Sequence, residues 1–200
     1  MSYISDFLRL KCSGDILNIV NPVQKLEKEI SESMPVVQRM KDVILQDPMK
    51  YTLYDLCAGN ALTSIISTFL LPIKEAHAYD IKPRNRKWHL AKRFEYHTED
   101  IFDMSPDMFD ENSIITGIHA CTSRSKRIIE LFNKSKASYL FLMPCCIGTI
   151  EKDIPILIKK TLGHYLTWCY YLYEICNGKK ALNQCNNCLS PVNCIISSRK

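Results

Sequence analysis

From Tyr51 onward, short apolar runs alternate with segments of helical periodicity, and this alternation is the feature that most constrains the fold. We expect strands at residues 51–57, 75–80, 94–101, 113–121 and 137–146, and helices at 62–71, 84–94, 124–135 and 151–175. Such alternation is typical of βαβ units in a mainly parallel sheet with helices on both faces. Residues 180–188 and 191–200 then read as a hairpin. The sequence therefore predicts an α/β domain over residues 51–200.

The first 50 residues have a different pattern, that of an N-terminal helical arm. From Leu26 to Ile44 the apolar residues recur at steps of three or four, which forms one stripe along a helix. Pro35, two residues after Ser33, predicts a break with Ser33 capping a second helix. We expect the stripe to pack on the main domain; a stripe left exposed would instead dock a protein partner. Residues 1–50 are thus predicted to be an arm on the domain at 51–200.

Composition excludes several classes of protein. A chain with 46% hydrophobic and 24% charged residues is typical of globular rather than disordered proteins. The longest apolar run, residues 62–73, is too short to span a bilayer, and we find no secretory signal, so we expect no membrane partner. The ten cysteines are then expected to be reduced thiols in an intracellular, cytoplasmic protein. The net charge of +5 permits an anionic partner.

Acidic and small residues follow the first three predicted strands. Ligands of parallel α/β sheets lie outside the carboxyl ends of the strands, so these residues are candidates for a binding site. Asp55 and Gly59 precede a turn and a helix start, where a small residue and backbone N–H groups let a cofactor approach closely. Asp80 ends the second strand and suits a ribose diol, because a carboxylate accepts from both hydroxyls. Asp100 and Ile101 follow the third strand, where an adenine would lie.

The turn after the first strand also indicates which cofactor is bound. It lacks the two outer glycines of G-x-G-x-x-G, which disfavours a pyrophosphate pressed against the backbone. S-adenosylmethionine has no phosphate and tolerates that loss better, so we favour it over NAD.

A basic segment lies directly after the candidate ribose residue. Six of the twelve residues from Lys82 to Arg93 are Lys or Arg, and Trp88 lies among them. Such a cluster can follow a phosphate backbone while the aromatic ring stacks on a base, although a solvated helix face has the same composition. We expect RNA as the partner, with contacts from Lys82, Arg84, Arg86, Lys87, Trp88 and Arg124.

Three cysteines near the end of the chain raise the question of a metal site. Cys185 and Cys188 have the spacing of a zinc-binding pair, and Cys194 follows six residues later. Cysteines at this spacing are good zinc ligands when a second Cys-x-x-Cys pair follows, and the sequence contains none, although Cys145, Cys146 or Cys176 would be able to supply a fourth sulfur across the fold. We therefore expect no metal.

Several segments together resemble a known family. They are "YDLCAGNALTS" at 54–64, "YD" at 79–80, "GIHACTS" at 117–123, "ASYLFLMPCC" at 137–146 and "LSPVNCIISSRK" at 189–200. They resemble class I S-adenosylmethionine-dependent methyltransferases, in the subfamily that includes the methyltransferase domain of the glutathione S-transferase C-terminal-domain-containing protein and relatives of the tRNA acceptor-stem 2′-O-methyltransferase. The resemblance covers residues 50–200. It implies a Rossmann-like sheet of seven strands, mostly parallel with a C-terminal antiparallel hairpin.

The resemblance also implies S-adenosylmethionine as cofactor and roles for individual residues. The cofactor would be lined by Asp55, Cys57, Ala58, Gly59, Asp80, Ile81, Asp100, Ile101, His119 and Ala120. His119 is a candidate base for the acceptor, although a hydrogen-bonded structural histidine would occupy the same strand end. Cys145 and Cys146 are candidates for shaping the acceptor pocket. These three residues form the predicted catalytic set.

The sequence departs from this subfamily in two places, and the departures leave more than one function open. Relatives have Gly after the cysteine of the "HAC" segment and then Thr-Asp, whereas here Thr122 follows Cys121; Ile147 follows the Cys pair in place of a His. We favour a methyltransferase acting on RNA, either tRNA or rRNA. The alternatives are methylation of a protein or small molecule, and a degenerate methyltransferase fold that acts as a binding or ribosome-assembly factor without catalysis.

Overall fold

A single seven-stranded sheet forms the centre of the computed structural model, which describes residues 2–151 and 154–200. The strands are β1 (Thr52–Leu56), β2 (Glu75–Asp80), β3 (Phe94–Thr98), β4 (Ser113–Ile118), β5 (Tyr139–Met143), β6 (Lys179–Gln184) and β7 (Cys194–Arg199). Their order across the sheet is β3-β2-β1-β4-β5-β7-β6. β1 to β5 are parallel, and β7 is antiparallel to both β5 and β6. The predicted α/β fold with a C-terminal antiparallel hairpin is confirmed.

The strand order places a crevice at the carboxyl ends of β1 and β4. From β1 the chain continues to β2 and β3 on one side, and then crosses to β4 and β5 on the other. Loops that leave β1 and β4 therefore diverge, and they leave a gap in which ligands of such sheets bind.

In the part of the chain that the structure describes, six α-helices cover the two faces of the sheet. They are α1 (Tyr3–Leu8), α2 (Ser13–Val20), α3 (Leu26–Ile44), α4 (Leu62–Leu70), α5 (Ser123–Lys134) and α6 (Ile156–Ile175). Side chains of a strand alternate between faces, so neighbours such as Ile114 and Ile115 enter different cores. Ile114 packs with α1–α4, whereas Ile115 packs with α5 and α6. Among the described residues, none of these helices is long and apolar enough to cross a bilayer.

The apolar stripe of α3 is buried, as its periodicity predicts. Ile30, Met34, Val37, Met40 and Ile44 are each at most 4% exposed, in the core that also contains residues of β1 and β4. The division of the chain into an arm and a domain at residue 50 stays a prediction.

The predicted break at Pro35 is wrong, because α3 continues through it. Proline has no N–H, so the Ser31 carbonyl has no donor from the next turn of the helix. The thiol of Cys188, in the β6–β7 loop, donates to that carbonyl at 3.1 Å. The backbone N–H of Leu189 donates to the Ser31 hydroxyl at 3.1 Å. Ser33 lies inside the helix rather than at a cap, and its hydroxyl accepts from Thr63. A distant loop thus supplies the bond that Pro35 removes.

The predicted helix at 84–94 is also wrong, since only Trp88–Leu90 form a single 3-10 turn. The segment instead bonds to the N-terminal helices. Arg86 donates to the Pro22 carbonyl at 2.8 Å, and the Lys87 backbone N–H donates to the Ile19 carbonyl at 3.2 Å. These contacts hold the backbone in an irregular path because its donors find partners outside the segment.

The predicted helix at 151–175 begins later than expected, at Ile156. Glu151 is not helical, and residues 152–153 lie outside the described part of the chain. The helix is interrupted at Gly163, whose φ of 69° lies in the left-handed region that glycine adopts without strain.

Candidate functional site

The loop after β1 turns sharply at the crevice. Cys57, Gly59 and Ala61 all have positive φ values, and positive φ costs a non-glycine residue free energy. The Gly59 N–H donates to Asp80 at 2.9 Å, which ties the loop to the end of β2. A Cβ added at Gly59 would meet no atom within 4 Å, so the loop presents open space to the crevice. This is a backbone that a ligand can approach closely.

Two adjoining cavities occupy the crevice. The larger, of about 580 Å³, lies between the β1 loop, α3 and the ends of β4 and β5. The smaller, of about 270 Å³, lies beyond β2 and β3. Cys57, Arg84 and His119 line both, so the two cavities meet along these three side chains. Their combined volume is in the range of small-molecule binding sites.

Most of the predicted cofactor residues line one cavity or the other. Asp55, Cys57, Ala58, Gly59 and His119 line the larger cavity, together with the predicted catalytic residues Cys145 and Cys146. Asp80, Ile81, Asp100 and Ile101 line the smaller cavity. Ala120 differs from the others: it is fully buried in the core beneath α5 and α6.

The basic residues predicted to contact RNA divide into two groups. Lys82, Arg84 and Arg124 line the smaller cavity. Arg86 and Lys87 instead bond to the N-terminal helices and the segment after them. The ring of Trp88 stacks on Tyr96, with centroids 5.1 Å apart and an interplanar angle of 6°. The ring face of Trp88 that stacks on Tyr96 is therefore not open to a nucleic-acid base.

The wall contributed by α3 was missed by the sequence analysis. Lys25, Lys28, Glu29, Glu32 and Ser33, at the start of α3 and directly before it, all line the larger cavity. The first four recur at steps of three and four, which makes a polar stripe beside the apolar one. That polar stripe was the one feature of the sequence that could have indicated a cavity wall, but a helix face exposed to solvent has the same pattern.

Glu32 and His119 form a buried pair at the floor of the larger cavity. The Glu32 side chain is 1% exposed, and its Oε2 lies 2.5 Å from His119 Nε2. Among the described residues, neither side chain has a hydrogen bond of good geometry despite this close approach. The Lys28 ammonium lies 3.5 Å from Glu32 Oε1. His119 itself has φ 61°, an unfavourable conformation of the kind that clusters at functional sites.

Asp55 and Glu29, which also line the larger cavity, have raised pKa values. Burial raises the pKa of Asp55 to about 6, although hydrogen bonds from Ser64 and Thr116 oppose the shift. Those hydroxyls donate at 2.8 Å and 3.2 Å. Burial also raises the pKa of Glu29, opposed by a hydrogen bond from the Asn60 amide at 2.9 Å. A site with carboxyl groups of different proton affinity can both bind cations and accept protons.

The cysteines near the end of the chain hold the hairpin against the N-terminal helices. The Cys185 thiol donates to the Tyr3 hydroxyl at 3.2 Å, and Cys188 donates to Ser31 as described above. Cys194 is buried at the start of β7, where its backbone N–H donates to the Tyr165 hydroxyl. Local packing accounts for all three.

Comparison with known proteins supports the fold and the family. No curated protein sequence matches the chain significantly. The structure is similar to that of a Thermoplasma acidophilum protein, with 10% identity, a TM-score of 0.55 and coverage of 100% of this chain and 98% of the other. It is also similar to the methyltransferase domain of bacterial CtHen1, with 12% identity, a TM-score of 0.52 and coverage of 84% and 100%. At these identities the likeness establishes the fold alone.

A family model describes residues 24–153 as a methyltransferase domain. The match begins just before α3 and extends past the Cys145–Cys146 pair, so it includes the residues that line the two cavities, with the exception of Val192. It covers well over half of the chain, and this protein belongs to the methyltransferase domain family.

Proposed function

We propose that the protein is an S-adenosylmethionine-dependent methyltransferase that acts on RNA. The observation that carries this proposal is the pair of adjoining cavities at the ends of β1, β2 and β4, with acidic residues at each. A ligand spanning both would have one end beside Asp55 and Gly59 and the other beside Asp80 and Asp100.

The residues at the smaller cavity fit a nucleoside. Asp80 accepts one backbone N–H on each oxygen, from Gly59 and Lys82, both at 2.9 Å. A carboxylate has about four acceptor positions, so two remain for the hydroxyls of a ribose. Asp100 accepts from the Phe102 N–H through Oδ1, which leaves Oδ2 for an exocyclic amino group. The side chain of Ile101 provides an apolar surface for the base.

The larger cavity fits an amino-acid group and an acceptor. Asp55 and Glu29 would bind a cationic amino group, and Lys25 and Lys28 would bind a carboxylate. S-adenosylmethionine, when bound, supplies an electrophilic methyl group. His119 Nδ1 is buried and has no hydrogen-bond partner among the described residues; it would take the proton of an acceptor bound against it, while Glu32 beside Nε2 would stabilise the resulting imidazolium. Cys145 and Cys146 would lie beside the acceptor.

Cations around both cavities support RNA as the substrate. Lys25, Lys28 and Arg84 line the larger cavity, and Lys82, Arg84 and Arg124 line the smaller one. Five cationic side chains around one crevice attract a polyanion, and the attraction is independent of its sequence. A neutral small-molecule acceptor would gain nothing from them.

Cofactor binding is the first test. We expect micromolar affinity for S-adenosylmethionine by calorimetry, and we expect Asp80→Asn to weaken it by about tenfold or more, because charge-assisted hydrogen bonds to the ribose are lost. Asp47→Asn, an exposed carboxyl paired with Lys50 on the surface, is the matched control and should bind normally. Wild-type protein that gives no heat with the cofactor would favour the alternative, a degenerate fold acting as a binding or assembly factor.

The substrate class is tested by transfer of labelled methyl to total RNA and, separately, to total protein. We expect label in RNA. Lys82→Ala should weaken RNA binding and reduce the slope of log affinity against log salt by about one. Lys74→Ala is the matched control because Lys74 precedes β2 at the opposite end from Lys82. Label in protein alone, or equal effects of the two substitutions, would contradict an RNA substrate.

A further inference from the structure

Three thiols meet at the junction of the two cavities. The Sγ atoms of Cys121 and Cys145 are 2.8 Å apart, those of Cys145 and Cys146 are 3.4 Å apart, and those of Cys146 and Cys121 are 3.2 Å apart. Cys145 and Cys146 line the larger cavity, and Cys121 lines the smaller one. Cys121 follows β4 and the pair follows β5, two neighbouring strands that bring residues 24 positions apart together.

The cluster is accessible and is held by the backbone. Cys146 is exposed, and the other two are half-buried. The thiols of Cys121 and Cys145 both point toward the His119 carbonyl, at 3.5 Å and 3.4 Å. The three sulfur atoms are therefore fixed on one side of the β4 loop while one of them remains open to solvent.

Without an ion, the surroundings of the cluster favour neutral thiols. Burial and the neighbouring thiols raise the pKa of Cys145, and burial raises that of Cys121. A soft metal ion overcomes such resistance to ionisation because it bonds to the thiolates directly. Cys121 also immediately precedes the N-cap of α5, where Arg124 opposes the rise in its pKa. The free N–H groups of a helix N-terminus stabilise a thiolate in the same way.

We propose that Cys121, Cys145 and Cys146 bind a zinc ion at the junction of the two cavities. Zinc accepts three thiolates and leaves a fourth position for a water or a substrate atom, as in catalytic rather than purely structural sites. That position would face the larger cavity, where a ligand with a nitrogen or sulfur donor could bind the ion. The proposal differs from the expectation of no metal that the hairpin cysteines gave, and it does not depend on the identity of the methyl acceptor.

The cluster is close to the geometry that zinc requires. Zinc–sulfur bonds of about 2.3 Å at tetrahedral angles separate the sulfurs by about 3.8 Å. The observed separations of 2.8 to 3.4 Å would have to increase by about 1 Å or less. Rotation about the side-chain torsions of three cysteines provides such a change.

The test is the metal content of the full-length protein purified under reducing conditions without chelator. We expect about one equivalent of zinc by mass spectrometry of the elements, and Cys146→Ser should lower it by about tenfold or more. Replacing zinc with Co²⁺ should give thiolate-to-metal charge-transfer absorption, which Cys121→Ser should abolish. This absorption reports thiolate ligands directly. Circular dichroism shows whether the Cys121 variant is folded, and if it is not, the Cys146 variant is used in its place for the Co²⁺ measurement.

Two substitutions elsewhere are matched controls. Cys188→Ser removes a thiol of the hairpin pair but keeps a donor to Ser31. His97→Gln disrupts the other group of clustered metal-binding side chains among the described residues, His77, Glu95 and His97. Both variants should retain zinc. Wild-type protein without zinc and without the Co²⁺ absorption, zinc lost in either control, or a disulfide between Cys121 and Cys145 in the reduced preparation would each overturn the proposal.

Discussion

Two buried carboxyl groups at the crevice lower the stability of the fold, although the proposed function uses both. Asp55 and Glu32 are carboxyl groups almost without exposure, at 2% and 1%, and burial of a carboxylate costs free energy unless it is paired. Two hydroxyl donors offset part of the cost of burying Asp55, and the contact with His119 offsets part of the cost of burying Glu32. The cost that remains makes both positions sensitive to substitution, and the raised pKa of Asp55 makes the stability depend on pH there.

Asp55→Asn should change how stability depends on pH. Folding raises the pKa of Asp55 from 3.8 to about 6, so the native state binds the proton more tightly than the unfolded chain. The stability from Asp55 is thus fully present below about pH 4 and is lost as the pH rises to about 6. An asparagine does not titrate, so the variant should gain up to about 3 kcal/mol relative to wild type over this interval.

Urea unfolding of both proteins at a series of pH values measures that difference. Other carboxyl groups titrate in both proteins and cancel. A difference between the two proteins that does not change with pH would contradict the raised pKa.

The pair of Glu32 and His119 should show strong energetic coupling. In a double-mutant cycle with Glu32→Gln and His119→Asn, we expect a coupling energy of about 1 to 3 kcal/mol, because each single change removes the close partner of the other side chain. Asparagine is chosen at 119 because it tolerates the left-handed backbone there. Denaturant unfolding of the four proteins gives the coupling, and additivity within about 0.5 kcal/mol would show that the contact contributes nothing.

At the scale of elements, local pattern was sufficient for the sheet but not for the site. β4 and β5 follow from the runs around Ile114 and Leu140, because a strand buried on both faces is apolar throughout. The segment after Asp80 was predicted to be helical because its composition favours a helix, and tertiary bonds to Pro22 and Ile19 overrode that preference.

The wall of the larger cavity that α3 contributes was not predicted for a related reason. Residues at strand ends were predicted because topology fixes where strands end. Which face α3 turns toward the crevice depends on its packing against residues that are distant in the sequence. The periodicity of α3 indicates only that its apolar stripe is buried. Glu32 could not be distinguished by pattern from the charged residues of α3 that face solvent.

The contact between α3 and the β6–β7 loop should depend on Pro35. Cys188→Ala leaves the Ser31 carbonyl without a donor, so we expect a loss of about 1 to 2 kcal/mol of stability. In a Pro35→Ala background the new N–H can donate to Ser31, and the same substitution should cost less. Cys188→Ser, which retains a donor, is the control. Equal costs of Cys188→Ala in both backgrounds, measured by thermal unfolding, would contradict this role.

At the scale of the whole molecule, the N-terminal helices and the sheet share one core. Phe7, Ile16 and Ile30, from α1, α2 and α3, pack in the same cluster as Leu53 and Ile114 of the sheet. Of these helices, α3 also contributes a wall of the larger cavity. The family match likewise begins before α3 rather than at residue 50. Stability and binding are thus connected through the first helices.

Unfolding of the full chain should therefore be a single transition. Trp168 is buried on the opposite face of the sheet from α1–α3, and Trp88 packs on the same face as those helices, so in a Trp88→Phe variant the tryptophan fluorescence reports the Trp168 core, while far-UV circular dichroism includes the helices of both faces. We expect the two urea curves to coincide, with equal midpoints and slopes. A circular-dichroism change that precedes the fluorescence change would indicate an arm that unfolds independently, as the predicted boundary at residue 50 implies.

The position of β7 has a consequence for synthesis of the chain. β7 lies between β5 and β6, so β5 is paired only with β4, and β6 is not joined to the sheet, until residues 194–199 have left the ribosome. Until then β5, an apolar strand buried on both faces in the finished protein, has one free edge. Free apolar edges pair with other chains, and nascent polypeptides with such edges are bound by chaperones. The last strand to be translated is therefore the one that protects the nascent chain from aggregation.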